Sequence, residues 1–296
     1  MQQAIIIYGP TAVGKSSIAV ELAKMIDGEI ISADSMQIYK KLNIGTAKIS
    51  HSEMQSIPHH LIDVKMPTED YSVSEFCQQA EILITQICSR NKVPIIVGGT
   101  GLYINSLING YTFSCAPKNQ DFRDELSSLS NEQIYSMLLK YNPSIQIDFN
   151  NRQRLIRALE MCKFGKQCSN KKSSTNYLLF AILDDRQAIY NRINSRVDKM
   201  IDSGLLDEAK YLLSLNLPET NLAVKAIGYK ELFPYLKGEC SLQECVDVLK
   251  QKTRNYAKRQ ITFLNQFNSA IKINFSGVQN TANIIKQIIE EKKTNE

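Results

Sequence analysis

Two rhythms of apolar residues run along this chain. Ala4-Ile5-Ile6-Ile7-Tyr8 is a short, largely β-branched run, as expected of a strand buried on both faces. After an intervening turn, Ile18, Leu22, Met25 and Ile26 recur at helical spacing. Residues 29–33 and 93–97 predict two further strands. Between them, a helix over about 74–90 turns Phe76, Cys77, Ala80, Leu83, Ile84 and Ile87 inward, with Ser72 and Glu75 as a capping box at its start. Strands and helices that alternate in this way form a parallel sheet covered by helices. From about Cys115 the pattern becomes helical. Ser130 and Gln133 box the start of one helix, which runs to Tyr141. Asn151 caps another over 152–164, with Leu155, Ile156, Leu159 and Met161 on its buried side. Residues 177–183 read as a fourth core strand, so 115–176 is a helical insertion in a core made of 1–114 and 177–296. A helix from Arg186 buries Tyr190, Ile193, Val197 and Met200 and stops near Gly204. Ser241 and Glu244 cap a long helix to about Phe267. A last strand at 270–274, a helix from Thr281 and a frayed charged tail at 290–296 complete the expected order.

The turn after the first strand reads Gly9-Pro10-Thr11-Ala12-Val13-Gly14-Lys15-Ser16, a complete G-x-x-x-x-G-K-[ST] run. A strand, a glycine loop and a helix N-terminus surround a phosphate with backbone N–H groups. Lys15 would supply a mobile cation and Ser16 a ligand for Mg2+. The fold class expected is therefore α/β, a P-loop-type parallel sheet flanked by helices, with a mostly helical insertion domain. Ligands in such sheets bind beyond the carboxyl ends of the strands. The glycine loop, Asp34-Ser35-Met36-Gln37 and Gly98-Gly99-Thr100-Gly101 all fall at such ends. Asp34 can ligate Mg2+, accept a proton from a nucleophile, or cap the segment that follows it. Ser35 and Gln37 beside it favour a nucleobase, since a glutamine amide can pair with an adenine edge, and leave Asp34 as the base. Thr100, on its glycine-flanked turn, can point a hydroxyl into the same cleft.

Composition sets the surroundings. The 296 residues, 43% apolar and 22% charged, suffice for a large core and about two domains. No run approaches membrane-spanning length and no secretion signal precedes the first strand; a cytoplasmic, non-membrane monomer is expected. The seven cysteines are odd in number and form no C-x-x-C pair, so buried thiols are expected rather than disulfides or zinc. His51, His59 and His60 lack helical metal spacing. The net charge of +5 is uneven: residues 1–113 carry 8 Lys and Arg against 10 Asp and Glu (−2), the remainder 27 against 20 (+7). A polyanionic partner for the basic part follows. Arg154 and Arg157, three apart on one helix face, suit neighbouring phosphates; pairing with Glu160 is the equal alternative. Arg254, Lys258 and Arg259 around Tyr256 form a second basic patch able to grip an RNA backbone.

In this order the motifs resemble the tRNA dimethylallyltransferase (isopentenyltransferase) family. The matching pieces are the glycine run, Asp34-Ser35-Met36-Gln37-Ile38-Tyr39, Gly45-Thr46-Ala47-Lys48, His59-His60-Leu61-Ile62-Asp63 and Tyr71-Ser72-Val73. Val97-Gly98-Gly99-Thr100-Gly101-Leu102-Tyr103, Arg154-Leu155-Ile156-Arg157-Ala158-Leu159-Glu160, Ala226-Ile227-Gly228-Tyr229-Lys230-Glu231 and Ala257-Lys258-Arg259-Gln260 follow. The resemblance implies alkyl rather than phosphoryl transfer. Dimethylallyl diphosphate would be the donor, and N6 of the adenosine 3′-adjacent to the anticodon in certain tRNAs the acceptor. It implies Gly9 to Ser16 as the diphosphate cradle, with Thr11, Lys15 and Ser16 stabilising the leaving group and Mg2+ assisting. Asp34, Ser35, Met36 and Gln37 would contact the target adenosine. Thr100, Arg123, Gln153, Arg154, Leu155, Ile156 and Arg157 would contact the tRNA anticodon stem-loop, joined by Lys258 and Arg259. Lys225 and Lys230 would add charge near the diphosphate, and the base would be flipped to react.

Ile49 replaces a proline usual in that family, Met161 to Lys166 is one residue short and lacks a threonine, and Phe263 stands where tryptophan is common. Three other readings remain open on sequence: a P-loop kinase or NTPase, a prenyltransferase acting on free adenine nucleotides, and an RNA-binding module using the loop structurally.

Overall fold

A computed structural model describes residues 2–110, 119–165 and 175–294. The chain begins β1 (Gln2–Tyr8), α1 (Lys15–Ile26), β2 (Gly28–Ser32), α2 (His51–Met54), β3 (His59–His60), α3 (Val73–Ser89), β4 (Val93–Gly98) and α4 (Gly101–Asn109). The helical stretch contributes α5 (Gln120–Glu125), α6 (Asn131–Tyr141) and α7 (Arg152–Phe164). The remainder is β5 (Thr175–Leu183), α8 (Arg186–Asp202), α9 (Leu205–Ser214), α10 (Phe233–Leu236), α11 (Leu242–Leu264), β6 (Ile271–Asn274) and α12 (Val278–Thr294).

The six strands are all parallel, in the order β3-β2-β4-β1-β5-β6. On one side, Ile18 and Leu22 of α1 and Ile285 and Ile289 of α12 pack with Ile5, Ile7, Ile95 and Phe180 of the strands. Fully burying each such side chain contributes roughly 1.5–3 kcal/mol. Local signals fix the helix starts. Ser130 and Ser241 make complete capping boxes with Gln133 and Glu244. Ser72 accepts the Glu75 N–H, but the Glu75 carboxylate turns instead to Lys65 at 3.0 Å.

Two compact units divide the chain: Met1–Asn109 with Ser173–Glu296, and Gly110–Lys172. The second has its own core of Phe122, Leu126, Ile134, Leu138, Leu155 and Leu159. The expected borders at 114–115, with Cys115, Lys166 and Cys168, lie outside the described residues. Five elements were not foreseen: α2, β3, α5, α9 and α10. The charged end expected to fray continues α12 as far as Thr294. Met161 is exposed rather than buried. Cys77 and Cys245 are buried thiols, but Cys162 is exposed.

Candidate active site

The strand order places the three polar loops side by side. β2, β4 and β1 are neighbours, so Asp34, the Gly98–Gly101 turn and the glycine loop leave the same edge of the sheet in a row. Ala12 and Gly14 take left-handed φ values of 64° and 92°. Gly14 caps α1 without a side-chain bond, which leaves the first amides of the helix open to an anion. A cleft of about 630 Å³ opens there, lined among others by Thr11, Ala12, Gly14, Lys15, Ser16, Asp34 and Gln37. Gly9, Pro10 and Val13 do not line it. Gly9 packs against the Ile182 carbonyl, Pro10 offers only its carbonyl, to Lys15 Nζ at 2.7 Å, and Val13 is buried in the core. Burial, and Arg196 next, lower the Lys15 ammonium to about pKa 7, with Asp34 opposing.

Asp34 serves two purposes at once. Its Oδ1 accepts the Met36 N–H at 2.9 Å and the Gln37 N–H at 3.4 Å, which caps the turn. Among the described residues Oδ2 makes no hydrogen bond. Burial pushes the carboxyl above its ordinary range, against the pull of those amides, Lys15 and Lys48. Thr100 Oγ1 accepts the Ser35 N–H at 3.1 Å. The Gln37 amide is already engaged: Oε1 accepts from Ser32 Oγ at 3.3 Å, and Nε2 donates to the carbonyls of Thr46 and Ala47 at 3.5 and 3.3 Å. It can read an adenine edge only by giving up these bonds. The wall those carbonyls belong to is held by Glu208. Its carboxylate accepts the N–H groups of Asn43, Ile44 and Gly45 at 2.7, 3.0 and 2.9 Å, and the Tyr229 hydroxyl at 2.6 Å.

Beyond Lys15 and Lys48, three further cations of the cleft come from α8, which sequence reasoning missed. Arg192, Arg196 and Lys199 recur at i, i+4 and i+7 and line it together. Arg192 is a brace: its Nε donates to the Ala12 carbonyl at 2.8 Å, it pairs with Asp184, and it lies over the Phe275 ring. Arg196 reaches Thr11 Oγ1 at 3.4 Å and, among the described residues, makes no ion pair. Lys225 and Lys230, expected near the diphosphate, are exposed and do not line the cleft; Lys230 lies 3.9 Å from Glu231. Gln260, expected only as part of a basic patch, turns inward. Its Oε1 accepts the Thr11 N–H at 2.7 Å and its Nε2 donates to the Gly99 carbonyl at 2.9 Å.

A family model described as IPP transferase matches residues 37–267. The chain belongs to this family. It is 49% identical over 292 residues to a tRNA dimethylallyltransferase of Streptococcus agalactiae, covering 97% of this chain and 96% of that one. It is 47% identical over 277 residues to the enzyme of the same name from Lactococcus lactis, covering 93% and 92%. Among solved structures it resembles the full-length tRNA isopentenylpyrophosphate transferase of Bacillus halodurans, at a TM-score of 0.76, 39% identity and 99% coverage of both chains. A eukaryotic dimethylallyltransferase described as acting on tRNA gives a TM-score of 0.81 at 30% identity, covering 94% of this chain and 75% of that one.

The residues expected to contact RNA fall into two groups. Lys258 and Arg259 are exposed on α11 and line a separate hollow of about 450 Å³ with Asn255, Thr262, Phe263 and Gln266. Gln153 and Arg154 are exposed on α7 and Ile156 is half-buried. Leu155 is a correction: it is fully buried in the core of the helical unit and has no surface to offer RNA. Arg123 and Arg157 are half-buried and engaged within the same unit. Glu160 is buried and takes two bonds from Arg123, at 2.6 and 2.8 Å, and one from Arg157 at 3.0 Å. Burial raises the Glu160 carboxyl, but these bonds overcome it and hold the group at about pKa 2. The pairing alternative, rather than a pair of phosphates, is what the structure shows for Arg157. Among the described residues no group of three His, Cys, Asp or Glu side chains could hold a metal, and no helix is long and apolar enough to cross a membrane.

Proposed function

We propose that this chain transfers the dimethylallyl group of dimethylallyl diphosphate to N6 of the adenosine 3′-adjacent to the anticodon (position 37) in tRNAs reading codons that begin with U, releasing diphosphate. The observation that carries the reading is one shared cleft, in which a phosphate loop faces a carboxylate with an unengaged oxygen. The relatives named as tRNA dimethylallyltransferases supply the donor and acceptor classes.

The allylic C1–O bond breaks, the C1–N6 bond forms, and N6 loses a proton. The N6 lone pair is delocalised into the purine ring, so the amine is a poor nucleophile. Asp34 Oδ2 accepts its proton as the new bond forms. The amides at the start of α1, Lys15 and Arg196 take up charge on the departing diphosphate, and they are oriented before it develops. Ser16 would hold Mg2+, a hard cation that binds through few protein oxygens and several phosphate and water oxygens; when bound, it would neutralise further diphosphate charge. The adenine must leave its stack to enter a cleft at the strand ends. Lys258, Arg259, Gln153 and Arg154 contact the anticodon stem-loop as backbone-positioning groups. The enzyme works as a cytoplasmic monomer.

Mass spectrometry of tRNA nucleosides after incubation with dimethylallyl diphosphate and Mg2+ tests this. The expected product is adenosine carrying one dimethylallyl group. ATP consumption without prenyl transfer would make the chain a P-loop kinase or NTPase. Labelling of AMP but not of an anticodon stem-loop would make it a free-nucleotide prenyltransferase.

A further inference from the structure

The three loops of the cleft form a row, and hydrogen bonds bridge each neighbouring pair. Neighbouring strands lie about 4.8 Å apart, so two spacings, about 10 Å, separate the donor side on β1 from the acceptor side on β2. The Gly98–Gly101 turn on β4 stands between them. Thr100 fastens that turn to the acceptor side through the Ser35 N–H at 3.1 Å. Gln260 fastens it to the donor side, through the Thr11 N–H at 2.7 Å and the Gly99 carbonyl at 2.9 Å. Both of its partners are backbone groups with fixed roles, so the orientation of the amide is settled. Gln260 is 4% exposed. A Cβ on Gly99 would stand 2.0 Å from Nε2, so the turn has been kept bare to admit it. Among the described residues no other side chain hydrogen-bonds to both loops.

We propose that Gln260 is a positioning residue, which sets the distance between the diphosphate loop and the Asp34 carboxylate. The proposal rests on the transferase reading. Thr11 lines the cleft, and its hydroxyl meets Arg196 at 3.4 Å. A shift of the Thr11 backbone therefore moves the donor subsite relative to Asp34, while Lys258 and Arg259 on the exposed face of α11 are untouched.

Gln260→Met keeps the side-chain volume and removes both bonds. Its kcat at saturating donor and tRNA is expected to fall about 30-fold with tRNA affinity held within about twofold, since a 1 Å misplacement of reacting groups costs on the order of 100-fold. Tyr8→Phe is the control. It deletes only the hydroxyl that donates to the Gln260 carbonyl at 2.9 Å, so it loosens the same spot but spares the amide; its kcat should equal wild type. Gln260→Glu gives the sharper readout. An ionised carboxylate repels the Gly99 carbonyl, whereas a protonated carboxyl donates and accepts as the amide does. Burial raises the pKa of such a group, so the ratio of its kcat to that of wild type should climb as pH falls. The Tyr8 and Tyr256 hydroxyls beside it are raised by burial and stay neutral in that range, and the ratio cancels Lys15 and Asp34.

Transfer by the wild-type chain tests the transferase reading by itself. Given that activity, a folded Gln260→Met with kcat within about threefold of wild type overturns the positioning role. So does a Gln260→Glu ratio that is flat from about pH 5 to 8. Should Gln260→Met not fold, Gly99→Ala disturbs the same contact from the opposite side. It must show the same loss of kcat at unchanged tRNA affinity, and a wild-type kcat there is equally fatal.

Discussion

Two helices carry arginines at similar spacing and put them to opposite uses. On α7, Arg157 folds back onto the buried Glu160, which also takes a fork of bonds from Arg123. On α8, Arg192 is held by Asp184 and a loop carbonyl, but Arg196 one turn later faces the cleft and, among the described residues, makes no ion pair, feeling Glu53 only at longer range. The difference is the position of a buried carboxylate. A cation opposite such a group is taken up by the fold, because an unpaired buried charge is costly. A half-buried cation that no acid pairs directly is left for an anionic ligand.

If that contrast is right, changes at the cleft alter chemistry without melting the protein, and changes in the helical unit do the reverse. The largest effect should come from Asp34→Asn, which keeps an oxygen to cap the turn but cannot act as a base. Its kcat should drop about 1,000-fold with diphosphate affinity within about threefold of wild type; equal loss of both, by stopped-flow and calorimetry, would make Asp34 a metal ligand. Next is Leu155→Ala, expected to destabilise the helical unit by about 3 kcal/mol in denaturant titrations through the cavity it leaves. A stable Leu155→Ala with weakened tRNA binding would return Leu155 to the interface. Arg196→Ala should weaken inorganic diphosphate binding about 10- to 100-fold, the worth of a charge-assisted bond, while Arg123→Ala leaves it unchanged and lowers stability. The smallest effect is the pH dependence of that binding. Lys15, lowered to about 7 by burial and Arg196, is charged below that pH in the free protein, and a bound anion raises its pKa. Diphosphate affinity should therefore fall as pH rises through about 7, by at most about tenfold per unit, and Lys15→Arg should remove this lysine's contribution to that slope.

Much of this was legible in the chain. The glycine run, with a β-branched strand before it and a periodic helix after it, predicts its own geometry because all three parts are local. The boxes at Ser130 and Ser241 were legible for the same reason. β3 was not: two residues pair with Ile30 and Ile31 of β2, and nothing within His59-His60 records that partner. Arg192, Arg196 and Lys199 were visible as a spacing. Rows of charge are usually solvated, however, and only the sheet determines that this face of α8 meets the glycine loop. Gln260 was hidden by company, since Lys258 and Arg259 mark its segment as surface while the helical turn carries it inward. Leu155 shows the converse error, in which membership of a motif outweighed the apolar periodicity that had already placed it inside.

Glu208 bears on how the donor finds its place. Three consecutive amides, at Asn43, Ile44 and Gly45, make a concavity of the kind that captures free anions, and it opens beside the very space a diphosphate must enter. A carboxylate of the chain itself fills that concavity, so on the transferase reading an incoming pyrophosphoryl end has no decoy there to lodge in. The glycine loop is then the remaining vacant amide cradle among the described residues of the cleft, and on the transferase reading the reactive carbon would arrive in a single register.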